Sequence, residues 1–158
     1  MKVEQLMTNE VETCRPEDGL HRAVQIMWER DCGFVPVVED DEGRRLVGVV
    51  TDRDACMALY LRGKALAELR VADVMSKLLR TCRPADAIWA AESAMREAQV
   101  HRLPIVDEAG RLVGVLSLSD IACVAGREIG PRHGWISSAE VGETLAQIHQ
   151  PRANPTSV

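Results

Sequence analysis

The sequence is poor in rings and has no metal-binding spacing. Aromatic residues are 3% of the 158-residue chain: three Trp, one Tyr and one Phe. A core must therefore be built from Val, Leu, Ile, Met and Ala, and the stacking platforms used by single-stranded nucleic acid are scarce. The five cysteines, Cys14, Cys32, Cys56, Cys82 and Cys123, are odd in number, and none belongs to a Cys-x-x-Cys pair. That argues against structural zinc and a disulfide framework, and for buried free thiols in a reducing, cytoplasmic setting. His21, His101, His133 and His149 follow no metal-ligand pattern, and no Ser or Cys has a His partner at a known nucleophile spacing. A Walker loop and a Gly-x-Gly-x-x-Gly run are also missing. No apolar run reaches the roughly eighteen residues that span a bilayer. The opening MKVEQLMTNEVE lacks the apolar centre of a signal peptide. These absences exclude a membrane segment and leave no catalytic constellation, so the chain reads as a non-enzyme.

What is present is a globular composition, 46% hydrophobic and 27% charged, with a formal net charge of −5. An acidic surface disfavours a nucleic-acid backbone as the main partner, although a local basic pocket for one small anion remains compatible with it.

The chain also repeats itself. Val3-Glu4-Gln5-Leu6-Met7-Thr8 reads like Val71-Ala72-Asp73-Val74-Met75-Ser76, and Thr13-Cys14-Arg15-Pro16 recurs identically as Thr81-Cys82-Arg83-Pro84. Asp18, Ala23, Met27 and Pro36 match Asp86, Ala91, Met95 and Pro104 in register, and Arg45-Leu46-Val47-Gly48-Val49 returns as Arg111-Leu112-Val113-Gly114-Val115. Copy one carries two extra residues in the turn Asp40-Asp41-Glu42-Gly43, where a structural repeat tolerates length change best.

Each copy reads as strand, helix, strand, strand, helix. Asp18 and Asp86 stand where they would cap a helix. The helices that follow show apolar stripes at 3.6 periodicity, Leu20, Ala23, Val24 and Met27 in copy one and Ile88, Ala91, Ala94 and Met95 in copy two. Runs 34–38 and 46–50, joined through Gly43, and runs 103–106 and 112–116, joined through Gly110, predict hairpins. A second helix starts near Thr51 and near Ser117, and Gly63 ends the first of these. One such repeat is too small to hide its own sheet face. The two copies are expected to pack sheet to sheet, with pseudo-two-fold symmetry and a cleft between them. The division is 1–66, 67–126 and a non-repeat extension, 127–158. In the extension Gly130, Pro131 and Gly134 mark a break, and Ser137-Ser138-Ala139-Glu140 predicts a capped helix at about 138–149. A disordered tail is expected after Gln150.

Each copy closes with Gly, two apolar residues, a hydroxyl residue, two variable residues and Asp: Gly48-Val49-Val50-Thr51-Asp52-Arg53-Asp54 and Gly114-Val115-Leu116-Ser117-Leu118-Ser119-Asp120. With the opening Val-x-x-x-Met-Thr/Ser and a central apolar-Pro-apolar element, this resembles the cystathionine-β-synthase (CBS) domain, over about residues 1–126. A tandem pair of these is a Bateman module. The second copy is especially similar to the last CBS repeat of the AMP-activated kinase γ subunit, through His101-Arg102-Leu103 and Ser117-Leu118-Ser119-Asp120. The resemblance implies an α/β (α+β) fold of two β-α-β-β-α repeats. It also implies an adenosine-containing ligand (AMP, ADP, ATP, NAD or S-adenosylmethionine), with no dedicated cofactor. Because CBS pairs often sit inside larger enzymes or transporters and no further domain is seen here, the chain is expected to be a stand-alone regulatory module. Such modules commonly form homodimers through their helices, head to head or head to tail.

The residue chemistry agrees. Thr51 and Ser117 sit where a strand runs into a helix, whose free N–H groups and positive dipole end suit a phosphate. Asp54 and Asp120 lie one turn on, on the same face, where a carboxylate accepts both hydrogen bonds of a ribose diol. Each such charge-assisted bond is worth about 1.5–3 kcal/mol, and a few of them plus a buried base reach about micromolar affinity. The alternative for each pair is a plain helix cap and a first-turn acid. The resemblance implies that His101 and Arg102 contact phosphate. Their counterparts Gly33 and Phe34 carry no charge, which ranks the Ser117–Asp120 site above the Thr51–Asp54 site. Arg53 is either a compensating phosphate contact or a solvated helix residue. Gly48 and Gly114 either pack closely or also admit the ligand. The base is expected near Asn9 and Val11 or near Lys77 and Leu79. Occupancy would be read by an unidentified protein partner. A ligand-independent dimeric scaffold and, less favoured, a nucleic-acid-binding module are the competing readings.

Overall fold

The computed structural model describes residues 1–127 and 137–150. The break at Gly130–Gly134 and the tail after Gln150 lie outside the described residues. In copy one, helix α1 (Leu20–Glu29) leads into an antiparallel hairpin, β1 (Phe34–Val38) and β2 (Leu46–Thr51), and then into α2 (Asp52–Arg62). Copy two repeats this with α3 (Ile88–Ala98), β3 (Arg102–Val106), β4 (Leu112–Ser117) and α4 (Leu118–Arg127), and α5 (Ser138–Ile148) follows. The expected stripes face inward in the main: Leu20, Ala23 and Met27 are buried on α1 and Ile88, Ala91 and Met95 on α3, but Val24 and Ala94 are only half-buried and Ile26 takes the fourth buried place on α1. Gly63 ends α2 in the left-handed region (φ 58°), and its N–H bonds the Leu59 carbonyl. The turn of the second hairpin likewise uses Gly110 (φ 77°), but in the longer first turn the left-handed residue is Arg44 (φ 49°), not Gly43.

Three expectations need correction. The opening strand of each repeat shrinks to a single parallel bridge, Cys14 with Val37 and Cys82 with Ile105. Asp18 and Asp86 do not cap the helices. Each accepts the N–H of Arg15 or Arg83, 2.7 Å away, and so closes the turn that precedes the helix. The helix N–H groups go elsewhere: Leu20 N–H bonds the Leu69 carbonyl at 2.7 Å, and Ile88 N–H bonds the Met1 carbonyl at 3.1 Å. Finally, only Cys14 and Cys82 are buried thiols. Cys56 and Cys123 are exposed and Cys32 is half-buried. Burial pushes the Cys14 thiol up to about 12 and the Cys82 thiol up to about 11, with Asp18 and Asp86 adding to the effect.

Those helix starts reveal an exchange of arms. Val3, on the opening segment of copy one, is buried in the core of copy two beside Ile88, Met95, Leu103 and Leu116. Leu69 and Val71, which open copy two, are buried in the core of copy one beside Leu20, Ile26, Val35 and Val50. The backbone repeats the pattern: Glu4 N–H bonds the Pro84 carbonyl, and Ala72 N–H bonds the Pro16 carbonyl. At the far end of each arm, Thr8 and Val115 exchange two hydrogen bonds (2.9 and 3.0 Å), as do Ser76 and Val49 (2.9 and 3.1 Å). The hairpins themselves touch at Arg45 and Arg111, where Leu46 N–H bonds the Gly110 carbonyl and Leu112 N–H bonds the Arg44 carbonyl.

The arms explain two glycines. A Cβ on Gly114 would stand 2.8 Å from the Thr8 carbonyl oxygen, whereas a Cβ on Gly48 would first meet the movable Met75 sulfur at 2.7 Å and the Ser76 carbonyl only at 3.2 Å. Helix α5 begins as expected: Ser137 Oγ accepts the Glu140 N–H, and Glu140 accepts the Ser137 N–H and hydroxyl. It packs on α3 and α4 through Ile148 and Thr144. It also covers Glu92 of α3, 4% exposed, whose Oε1 lies 3.4 Å from the Thr144 hydroxyl. Burial, and then the nearby Glu140, hold the Glu92 carboxyl above its ordinary pKa, against the opposing pull of Arg96.

Two outcomes follow. Gly114→Ala must push a backbone carbonyl aside and is expected to lower unfolding free energy by about 1–3 kcal/mol, more than Gly48→Ala, as measured by urea titration. Because the Glu92 pKa is raised on folding, its contribution is most favourable below the unfolded value and is lost as pH rises through the folded value. Glu92→Gln should therefore melt higher than the parent at pH 8, with the gap closing toward pH 4.5 in a calorimetric series.

Candidate functional site

Thr51 and Ser117 are the last residues of β2 and β4, and each is followed at once by a helix. Extended backbone at Thr51 (φ −111°, ψ 163°) leaves the first N–H groups of α2 unpaired, and the side chains close on that end reciprocally. Asp54 N–H donates to Thr51 Oγ1 at 3.2 Å, while the Thr51 N–H and hydroxyl donate to Asp54 Oδ2 at 2.9 and 2.8 Å. Copy two is the same: Asp120 N–H donates to Ser117 Oγ at 3.2 Å, and the Ser117 N–H and hydroxyl donate to Asp120 Oδ2 at 2.8 and 2.7 Å. The repeated hydroxyl-x-x-Asp element is thus a capping box in both copies. In each carboxylate the second oxygen, Oδ1, accepts nothing from the described residues.

The surroundings separate the two boxes. In the β3–β4 register Arg102 lies directly opposite Ser117, so both side chains leave one face of the hairpin. Arg102, Ser117 and Asp120 together line a cavity of about 430 Å³. Its other wall is the crossed arm of copy one, Thr8, Glu10, Val11 and Glu12, and its end is closed by Arg30, Asp31 and Phe34. Arg44 steadies that arm by donating to the Val11 carbonyl at 3.0 Å. Phe34, opposite Thr51 in the β1–β2 register, is the counterpart of Arg102. Both residues also line a second cavity, of about 700 Å³, between Val49, Pro104 and the crossed arm of copy two, Ser76–Arg80.

Of the residues singled out from sequence, the structure brings Ser117, Asp120, Arg102 and Val11 to the first cavity, and Lys77 and Leu79 to the second. Thr51, Asp54 and Arg53 line neither, and Arg53 is exposed on α2. Asn9 is exposed between two lining residues. His101 also lies away from both cavities. Its ring sits edge-on to that of His149, the residue that follows α5, with centroids 5.0 Å apart. Desolvation there, and then the adjacent His149 and Arg102, hold its pKa below the ordinary histidine value. The glycines Gly48 and Gly114 serve the arm contacts.

Sequence reasoning passed over Glu10, Glu12, Arg30 and Arg80, and named Phe34 only as the uncharged counterpart of Arg102. One signal lies in the repeat itself: Glu12 and Arg80 hold the same place before the identical Thr-Cys-Arg-Pro runs, with opposite charge.

Twin α/β repeats with exchanged arms, and a cleft between them, define a duplicated-domain module. The family model for the CBS domain matches residues 3–61 and 71–125, and the chain belongs to that family as a tandem pair. The CBS domain-containing protein YhcV of Bacillus subtilis is 34% identical over 120 residues, which is 76% of this chain and 82% of that protein. The solved structure of CBSX2 in complex with AMP matches with a TM-score of 0.68 at 26% identity, over 80% of this chain and 96% of that one. The CBS domain pair of protein MJ0100, in complex with 5′-methylthioadenosine and S-adenosyl-L-methionine, matches with a TM-score of 0.70 over 81% and 98%. At 23% identity that likeness shows the fold alone. Larger relatives named as enzymes also match, and the chain spans 23% of their length. Among the described residues, no helix is long and apolar enough to cross a membrane.

The two boxes carry equal structural weight. Thr51→Ala and Ser117→Ala should each cost about 1 kcal/mol of stability by chemical denaturation, the usual loss of a hydroxyl cap.

Proposed function

We propose that this chain is a regulatory module of the cytoplasm that binds an adenosine-containing ligand (AMP, ADP, ATP, NAD or S-adenosylmethionine) in the cleft between its repeats and passes occupancy to a protein partner. The observation that carries this reading is the convergence of Ser117, Asp120 and Arg102 on one cavity floored by the arm of the other copy. The free Oδ1 of Asp120 is placed to accept a ribose hydroxyl, and Arg102 is the cation beside it. Val11 and Phe34 supply apolar surface for a base. A ligand held between an arm of one copy and a hairpin of the other has differential contacts with any state in which the copies shift, which is the requirement for signalling. No cofactor is needed for this role, and the role requires no catalysed reaction. Self-association belongs to the same reading. The outer faces of α1 and α2 leave Trp28 88% and Tyr60 81% exposed, with Met57 and Leu61 beside them, a surface suited to a second copy.

Isothermal calorimetry with AMP, ATP, NAD and S-adenosylmethionine is the test. At least one should bind in the micromolar to millimolar range, and silence from all four would overturn the reading. Asp120→Ala should weaken binding by roughly tenfold or more, the loss of one charge-assisted bond, with Asp54→Ala changing it little. The second variant is the internal control, because it removes an equivalent helix cap.

A further inference from the structure

Helix α5 lies over a carboxyl that has no cation to itself. Glu92 of α3 is buried, and among the described residues it makes no ion pair. The matched place in copy one is Val24, half-buried on α1. The acid therefore stands at the more deeply buried of the two places, the reverse of what burial of apolar surface would select.

The hydrogen bonds around Glu92 fix its protonation. A hydroxyl has one proton to give and two lone pairs with which to accept. The Thr144 hydroxyl, fully buried on α5, gives its proton to the Glu140 carbonyl at 2.9 Å, and one lone pair accepts from Arg96 Nη1 at 3.0 Å. Glu92 Oε1, 3.4 Å away, faces what is left, the second lone pair. An ionised carboxylate there sets lone pair against lone pair, whereas a protonated carboxyl donates and completes the set. The surrounding charges are few. Desolvation acts against ionisation most strongly, Glu140 of α5 adds to it, and Arg96 on the same helix as Glu92 opposes it. Among the described residues α4, the other helix under α5, brings no charge to bear.

We propose that α5 is a proton-gated cover: it stays seated on α3 while Glu92 keeps its proton, and it lifts from the helical face of copy two when that proton is lost. Once uncovered, the carboxyl returns to ordinary carboxylate behaviour, so seating and proton uptake are linked. Below the ordinary carboxylate value both states hold the proton and the cover sits most firmly. As pH rises from there toward the value of the seated carboxyl, the seating equilibrium falls by up to about tenfold per pH unit and then levels off. Lifting exposes the seats of Val141, Thr144 and Ile148. The far end of the cover responds in the opposite sense. His149 rests on His101, whose pKa is held down by desolvation, so acid loosens that contact. The assignment goes beyond the adenosine reading and does not rest on it.

The test is deuterium exchange with mass spectrometry, on the parent chain and on Glu92→Gln, from about pH 5 to about pH 8. Protection of residues 138–148 is read relative to residues 20–29 of the same chain, which cancels the pH dependence of exchange itself. Dividing parent by variant cancels the two histidines, which both chains share. That ratio should fall by roughly tenfold or more across the range. Glu92→Val, which installs the copy-one residue, is the second variant and should match Glu92→Gln. Carbon-13 NMR of the Glu92 carboxyl in the parent chain reads its proton directly and needs no variant; it should titrate above the ordinary carboxylate value. The proposal falls if the ratio is constant with pH, if residues 20–29 lose protection equally, or if the carboxyl titrates as an ordinary one. No nucleotide enters the experiment, so either result leaves the adenosine reading as it stands.

Discussion

Two pairs of backbone hydrogen bonds, Thr8 with Val115 and Ser76 with Val49, lash the end of each arm to the hairpin of the other copy. Without them neither core is complete, since Val3 is sealed into one and Leu69 and Val71 into the other. A single repeat would present an open apolar face and unpaired strand edges. Exchange answers both needs at once, and it sets the cavities as well. Thr8 to Glu12 can wall the Ser117–Asp120 cavity only because the arm has crossed over. The cleft is therefore a by-product of how the cores are closed, and the glycine at 114 is what lets the backbones come close enough.

Features decided by near neighbours were legible from the chain. The stripes of α1 and α3, the two hairpins, the end of α2 at Gly63 and the Ser137–Glu140 cap all depend on residues within a turn or two. Features decided by the crossed arms were not. Asp18 and Asp86 have the sequence context of helix caps, but the groups they would cap are taken by Leu69 and Met1, some fifty and eighty residues away, and each carboxylate turns back to close the preceding turn. The opening strands fail for a related reason. A segment bound at one point to its own hairpin, with the arm before it bound to the other copy, has no length left for a ladder.

The site was half legible. Ser117, Asp120 and Arg102 converge as the motif suggested, because a strand-end register and one helical turn fix their relations locally. Thr51 and Asp54 form the same box to within about 0.1 Å yet line neither cavity. The doubled motif is thus explained by helix capping in both copies, and what separates the two boxes is cavity walls that lie far away in the chain. The same limit hid Glu12 and Arg80. Each looks like a solvated charge until the fold sets it against the opposite copy.

Duplication gave the two halves one frame, and divergence has since made them unequal on every functional face. Charge differs between the cavities through positions 10, 12 and 30 and their mates 78, 80 and 98. The helical faces differ too. On copy two, α5 covers α3 and α4 and brings His149 against His101, one residue from Arg102. On copy one, among the described residues, the short turn Leu66–Glu68 packs on α1, and Trp28 and Tyr60 are exposed, as Trp89 of α3 also is. An assembly that used both helical faces alike would have to displace α5 and expose Glu92, Thr144 and Ile148, which that helix now buries. Pairing through α1 and α2 alone would leave those α5 contacts in place, since it uses the repeat opposite the one where His149 meets His101.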